Sequence, residues 1–266
     1  ESPSRGMKTQ VMSWPAEAKT PQDRRRALNQ RWLGLRSEQA VWRTRWQDLN
    51  DYVRPRSFRQ FESDTNRANA QPLDKIINST PLEAQRTQAQ GMMSGVTPPS
   101  RPWFRLKMRG VDREVAESED AKVWLSMVER EMRDVLASSN IYKGLHILYA
   151  DHGTYGFGLL HVDEDEADVV RAYNFPVGSY VLATSPRGEV DTFIREIPMT
   201  VGSLVRLFGR DKVSLQVREK LEKGSYDDRI SVRHAVFPNP SVYAGAIGPE
   251  GKAWLSCWWE SNASDE

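Results

Sequence analysis

The sequence predicts an α+β fold, with long amphipathic helices first and a mostly antiparallel small sheet or barrel after them. Three observations predict it. Between Thr20 and Val53, apolar residues recur in steps of three and four, the spacing of a helix buried along one face. From Tyr155 onward the pattern changes to alternation, cut by turn residues such as Pro176-Val177-Gly178 and Ser185-Pro186-Arg187-Gly188. Between these regions, Lys75–Phe104 reads as a capped helix, a glycine-bearing stop, a proline-stiffened corner and an aromatic strand.

Residues 1–19 are polar and aperiodic and read as a flexible N-terminal arm. Residues 20–154 are the expected helical part and residues 155–266 the expected β-rich part. Thr20-Pro21 supplies a cap and an N1 proline for the first helix, which should run unbroken to about Val53. At 1.5 Å per residue that is roughly 50 Å. Its stripe is Leu28, Trp32, Leu35, Trp42, Trp46, Leu49 and Val53, with Gln39 the one lapse. Arg54–Pro72 is an arginine-bearing loop, too long to be a mere connector. Thr80-Pro81-Leu82-Glu83 then reads as a capping box, with Thr80 as the cap and Glu83 reaching back. Gly95 should stop that helix through a positive φ. Pro98, Pro99 and Pro102 lead into Trp103-Phe104, and alternation over Phe104–Met108 predicts a strand.

Ser118 should cap a helix to about Ala137, with Val123, Trp124, Met127, Val128, Val135 and Leu136 facing inward and Met127 and Met132 filling gaps in a core. Asn140 should cap the next helix, with Ile141, Leu145, Leu148 and Tyr149 inward and Gly153 as its end. Strands are expected at 156–163, 168–174, 178–184, 189–197, 228–237 and 253–260. Thr200 should cap a short helix through Phe208, stopped by Gly209, and a second should cover about 212–222 and end at Gly224. Residues 238–252, with three prolines and three glycines, should be an exposed loop.

Composition narrows the function classes. The chain has 266 residues, 39% hydrophobic, with nine tryptophans, enough for a real core. No apolar run reaches the ~18 residues that a membrane-spanning helix needs, and the polar start has no signal-peptide pattern. Cys257 is the one cysteine, so a disulfide framework or a cysteine metal site is excluded and a reducing compartment is favoured. The net charge is +1, but it is unevenly spread. Residues 1–109 carry 20 Lys/Arg against 10 Asp/Glu, leaving 17 against 26 for the rest. Such asymmetry suits complementary faces that meet between copies, or a basic surface turned toward DNA; two ordinary solvated surfaces would also produce it.

No catalytic constellation emerges. His161 with Asp163, Glu164, Asp165 and Glu166 is the one tempting metal cluster, but consecutive strand residues face opposite ways and 163–166 reads better as an acidic hairpin turn. Asp151-His152 lacks a nucleophile or a second acid and reads as a helix end. Gly153-x-x-Gly156-x-Gly158 has the wrong spacing for a dinucleotide loop, and Gly248–Lys252 lacks the length and hydroxyl of a phosphate loop. The expectation is no catalytic residue, no metal and no cofactor.

Family resemblance enters through the central block. Ile77-Asn78-Ser79-Thr80-Pro81, then Gly91-Met92-Met93-Ser94-Gly95, then Thr97-Pro98-Pro99 and Pro102-Trp103-Phe104 resemble the signature of the head-to-tail connecting (portal) proteins of short-tailed bacteriophages. Leu49–Ser57 upstream and Tyr155-Gly156-Phe157-Gly158 downstream also resemble that family, so the likeness covers roughly Leu28 to Glu260. It departs in length, since family members run about twice as long. The chain resembles the N-terminal half, the wing, without the stem, clip and crown. The resemblance implies a structural, non-enzymatic protein: a ring, usually of about twelve subunits, at one capsid vertex. Such a ring would contact the major capsid protein, the terminase during packaging and the tail adaptor or nozzle proteins. It would pass double-stranded DNA non-specifically in packaging and ejection, with no membrane contact. Its place would be the virion, after assembly in the host cytoplasm.

Under this reading Arg36, Arg43, Arg45, Arg54, Arg56 and Arg59 are candidates for subunit-interface or DNA-proximal positions. The Arg-rich first helix and the acidic second half form a candidate complementary pair. A different class is a single-stranded nucleic-acid-binding module that stacks bases on Trp32, Trp42 and Trp46 among Arg31, Arg36, Arg43 and Arg45. It requires those tryptophans to be exposed, whereas the connector reading requires them buried. A metal-dependent nuclease built on Asp163–Glu166 is a third reading, lacking a second carboxylate cluster.

Overall fold

A computed structural model describes residues 21–54, 76–110, 113–239 and 251–261. The fold is α+β, and the described strands all pair antiparallel. The chain divides into two compact units, one formed by the chain up to Trp42 together with the chain from Ser179, the other by Arg43–Gly178.

The first unit is a four-stranded meander with helices on both faces. Its strands are β3 (Tyr180–Thr184), β4 (Val190–Thr200), β5 (Arg229–Pro238) and β6 (Trp254–Glu260), in that spatial order. Alternation along β5 sends Ala235 and Phe237 to one face, and Ile230 and Val232 to the other. On the first face lies helix α1 (Pro21–Glu38), whose Leu28, Trp32 and Leu35 join Val181, Ala183, Ile194, Ala235, Phe237 and Trp259 in one core. Asn29 ties this seam, its Oδ1 accepting from Arg233 at 2.8 Å and from the Trp259 indole at 2.7 Å. On the second face lie α7 (Val201–Phe208) and α8 (Leu215–Glu222), which bury Val201, Leu204 and Val217 against Ile230 and Val232. Both have the hydroxyl caps that polar start signals require. Thr200 accepts from Ser203 N at 3.2 Å, and Ser214 from Val217 N at 3.4 Å. A 3-10 turn at Arg210–Lys212 replaces the first part of the second expected helix.

The second unit packs helices on a two-stranded hairpin. Helix α2 (Ala40–Val53) leads into it. It is followed by α3 (Thr80–Val96), the single turn α4 (Arg113–Ala116), α5 (Glu119–Ser138) and α6 (Ile141–Tyr155). The hairpin is β1 (Leu159–Asp165) with β2 (Val169–Phe175), in register from Leu159↔Phe175 to Asp165↔Val169. Helix α6 is the centre of this unit. Its Tyr149 and Ala150 pack with Ala89, Met92 and Met93 of α3. At its other end Gly144 faces the hairpin so closely that a Cβ would lie 2.9 Å from both the Ala172 Cβ and the Leu160 Cδ1.

Six sequence expectations are corrected. The long first helix breaks at Gln39, whose side chain donates to the Tyr180 carbonyl at 3.1 Å, so α1 and α2 are separate. The cap of α3 is Ser79, not Thr80. The Ser79 hydroxyl donates to Glu83 at 2.9 Å, and the Asn78 side chain accepts from Thr80 N at 3.1 Å. Gly95 lies inside α3 and has no positive φ; the helix ends at Thr97, before the prolines. Phe104–Met108 forms no strand, because Leu106 N is taken by the Glu129 carboxylate at 2.7 Å. Asn140 stands at the N-cap position of α6 as expected, but its side chain does not cap the helix: its amide clamps β2, donating to the Ala172 carbonyl at 2.8 Å and accepting from Ala172 N at 2.7 Å. Helix α6 ends at Gly156, which takes the left-handed conformation (φ 85°), and not at Gly153. The strands come where expected, within three residues at each end.

Candidate functional site

The signature block builds a corner on α6. Helix α3 carries Pro81, Gly91, Met92 and Gly95, and Thr97 closes it with a backbone bond to the Met93 carbonyl at 3.3 Å. Thr97 is buried, and its hydroxyl lies 2.9 Å from the Tyr149 hydroxyl on α6. Pro98 is buried beside it, while Pro99, Ser100 and Arg101 come back to the surface. Arg101 donates to the Ser94 carbonyl at 3.2 Å, which closes the turn on itself. The chain then crosses α6 again, where the Trp103 indole donates to the Tyr142 hydroxyl at 3.1 Å. Phe104 meets the Trp103 ring edge to face at 4.9 Å. Leu106 ties the segment to α5 through Glu129. Three side-chain bonds therefore pin one irregular segment to two helices. An open groove lined by Gln90, Met93, Ser94, Pro98, Pro99, Arg101 and His146 runs along the outside of this corner. Asn78, Ser79 and Thr80 are exposed at the opposite end of α3.

The candidate arginines separate. Arg36 lies in the α1 seam, 5.2 Å from the Trp32 ring, with Arg233 5.4 Å from the same ring. Burial lowers its pKa most; Glu196 opposes that shift and Arg233 adds to it. Arg36 therefore serves internal packing, a cation on an aromatic face. Arg43 is half-buried and Arg45 exposed on α2. Arg54, at the end of α2, pairs with the buried Asp151 of α6. Burial pushes the Asp151 carboxyl above its usual range, more than the adjacent Arg54 guanidinium pulls it down. Arg56 and Arg59 lie outside the described residues.

The tryptophans separate too. Trp32 (2% exposed) and Trp46 are buried, Trp46 against Phe157 at 5.3 Å, whereas Trp42 is 54% exposed. A base-stacking row of three does not exist. The α5 expectation is overturned in part: Val123, Trp124, Met127 and Met132 are exposed, whereas Val128, Val135 and Leu136 are half-buried and Ala121 is the buried residue of that helix. The apolar period was read correctly, but nothing within the described chain covers that side.

Candidate chemistry stays unassembled. Asp163 and Glu164 remain in β1, and the turn falls at 166–168 instead. Asp165 organises that turn, accepting from Ala167 N at 3.0 Å, Asp168 N at 2.9 Å and the Arg171 guanidinium at 2.8 Å. These bonds hold its carboxyl below its usual range, the backbone donor Asp168 first. His161 stacks between Tyr173 and Phe175 at centroid distances of 6.2 and 5.9 Å. Among the described residues, no group of three or more His, Cys, Asp or Glu is placed to hold a metal, and no helix is long and apolar enough to cross a membrane. Cys257 is half-buried on the α1 face of the sheet, and burial raises its thiol pKa.

Sequence reasoning missed Tyr142, Tyr149 and Glu129 as the anchors of the corner. Tyr149 was legible as an inward residue of α6, but its partner was not, because hydroxyl pairing across 52 residues leaves no local pattern.

The profile of the bacteriophage head to tail connecting protein family matches residues 25–266. A portal protein of Salmonella phage epsilon15 is 40% identical over 232 residues, covering 87% of this chain and 41% of that protein. A "probable portal protein" of Bordetella phage BPP-1 is 35% identical over 244 residues, covering 92% of this chain and 43% of its own length. The chain spans about two fifths of the length of these relatives.

Proposed function

The chain belongs to the bacteriophage head-to-tail connecting protein family, and from that premise we propose that it is the wing-forming part of a portal subunit. Identical copies would close a ring at one capsid vertex, through which double-stranded genomic DNA is packaged and ejected. The ring would bind the major capsid protein, the terminase and the tail adaptor proteins. Its role is structural: it supplies shape and charge, and its partners supply the motor. The observation that carries this reading is the family match along nearly the whole chain, including a signature block that folds into a corner pinned at Tyr149, Tyr142 and Glu129. A pinned irregular segment gives a rigid wedge edge, which identical subunits need if a closed ring is to repeat one contact geometry.

DNA passage needs no base-reading element, since a channel handles the phosphate backbone by charge. The buried Trp32 and Trp46 weigh against the single-stranded nucleic-acid module, and the dispersed Asp163–Glu166 set weighs against a nuclease. Labelling this chain with gold-conjugated antibody on intact virions tests the reading. Label at one vertex per particle is expected; label over the whole shell, or absence from the particle, would overturn it.

A further inference from the structure

We propose that the exposed face of α5 is a subunit-docking surface, and that its occupant is α2 of a neighbouring copy of this chain. The inference deepens the portal reading and rests on it. Three observations carry it.

First, α5 is amphipathic on two sides. Its packed side runs through Ala121, Leu125, Val128 and Leu136. Its outer side carries Val123, Trp124 and Met127, spaced three and four residues apart and so adjacent on the helix surface. Trp124 is 56% and Met127 62% exposed. A tryptophan and a methionine side by side in water are the residue types enriched at the centres of protein interfaces.

Second, acidic charge dominates the rim of this apolar patch, with one exposed cation, Arg130, beside Met127. Asp120, Glu131 and Asp134 share the same outer side of α5, and all three are exposed. That pattern specifies a partner with an apolar face and a cation, not a lipid surface, which would favour a basic rim.

Third, the same unit displays such a face. On α2, Arg45, Leu49 and Tyr52 lie at spacings of four and three and are exposed, with Asp48 at their edge. A guanidinium beside an aromatic and a leucine is the complement of three carboxylates beside a tryptophan and a methionine. Two different but complementary patches on one body make a head-to-tail contact, the kind that generates rings when its rotation closes. The apolar centres would supply affinity and the charges the register.

The test is cross-linking combined with charge exchange. Met127→Cys and Leu49→Cys, combined in one chain and treated with a short bismaleimide, should yield a ladder of covalent multimers; either single variant should yield none beyond the untreated protein. Half-buried Cys257, its thiol pKa raised by burial, provides the background control. In parallel, Glu131→Arg with Asp134→Arg should weaken self-association by about tenfold or more, as should Arg45→Glu. Combining all three should recover most of the loss, because the reversed charges attract again. All these positions are exposed, so circular dichroism should be unchanged. Oligomers that form without a ladder and without response to charge reversal would overturn the α5–α2 contact while leaving the portal reading intact. A protein that stays monomeric at every concentration would overturn both. A ladder that forms without recovery in the triple variant would overturn the assigned pairing of charges.

Discussion

Single residues show where periodicity is informative and where it is blind. Trp32 sits at the centre of the α1 seam, between Arg36 and Arg233 and over the sheet core. Trp32→Ala should therefore cost about 3–5 kcal/mol, as deletion of a large buried aromatic does, measured by urea unfolding. Trp42→Ala should change stability by less than about 0.5 kcal/mol, as exposed substitutions do. The two residues hold equivalent places in the sequence stripe, ten positions apart. Spacing gives the common face of a helix, but whether that face meets the chain's own sheet depends on where the helix breaks. Here it breaks at Gln39, the stripe's one lapse, so that lapse was a legible sign of the interruption. Tyr149 teaches the complement: its inward position was readable, and its hydroxyl contact with Thr97 was not.

Elements were more legible than their joints. All six strands, α7 and α5 follow from alternation, hydroxyl caps and glycine stops, because those signals act within a few residues. The expected strand at Phe104–Met108 failed for a non-local reason: a carboxylate on α5 claimed the amide that a ladder would have used. The packing of α6 on the hairpin gives a sharp test. Gly144→Ala gains helix propensity of up to about 1 kcal/mol, but it forces a methyl onto the Ala172 Cβ and the Leu160 Cδ1. Overpacking should win, with a net loss of about 1–2 kcal/mol in thermal unfolding. The hairpin turn gives another. Asp165 has a folded pKa below its unfolded one, so its contribution is present above the ordinary carboxylate range and lost as pH falls through the lowered value. Acid should loosen the 166–168 turn, read by amide exchange at Ala167 and Asp168, and Asp165→Asn should remove that acid step.

The whole molecule is described by what it leaves uncovered. A 20-residue helix with a single buried residue, Ala121, is an expensive arrangement for an isolated chain, since exposed Trp124 and Met127 gain nothing from the fold. Sequence spacing places these residues in a core, and the spacing is right about their apolar character; among the described residues Val123, Trp124 and Met127 are exposed, which is the ground for the proposed contact with a second copy. The same holds for charge. The basic first 109 residues and the acidic remainder were visible at once, but Arg36 and Arg54 turned out to serve internal contacts, with Trp32 and Asp151. The measurement that tests the account most directly is the mass of the intact assembly by native mass spectrometry, against a chain mass of 30.4 kDa. The account predicts one closed species of a single defined copy number, insensitive to further dilution. A monomer at all concentrations, or an open-ended series of sizes, would contradict it.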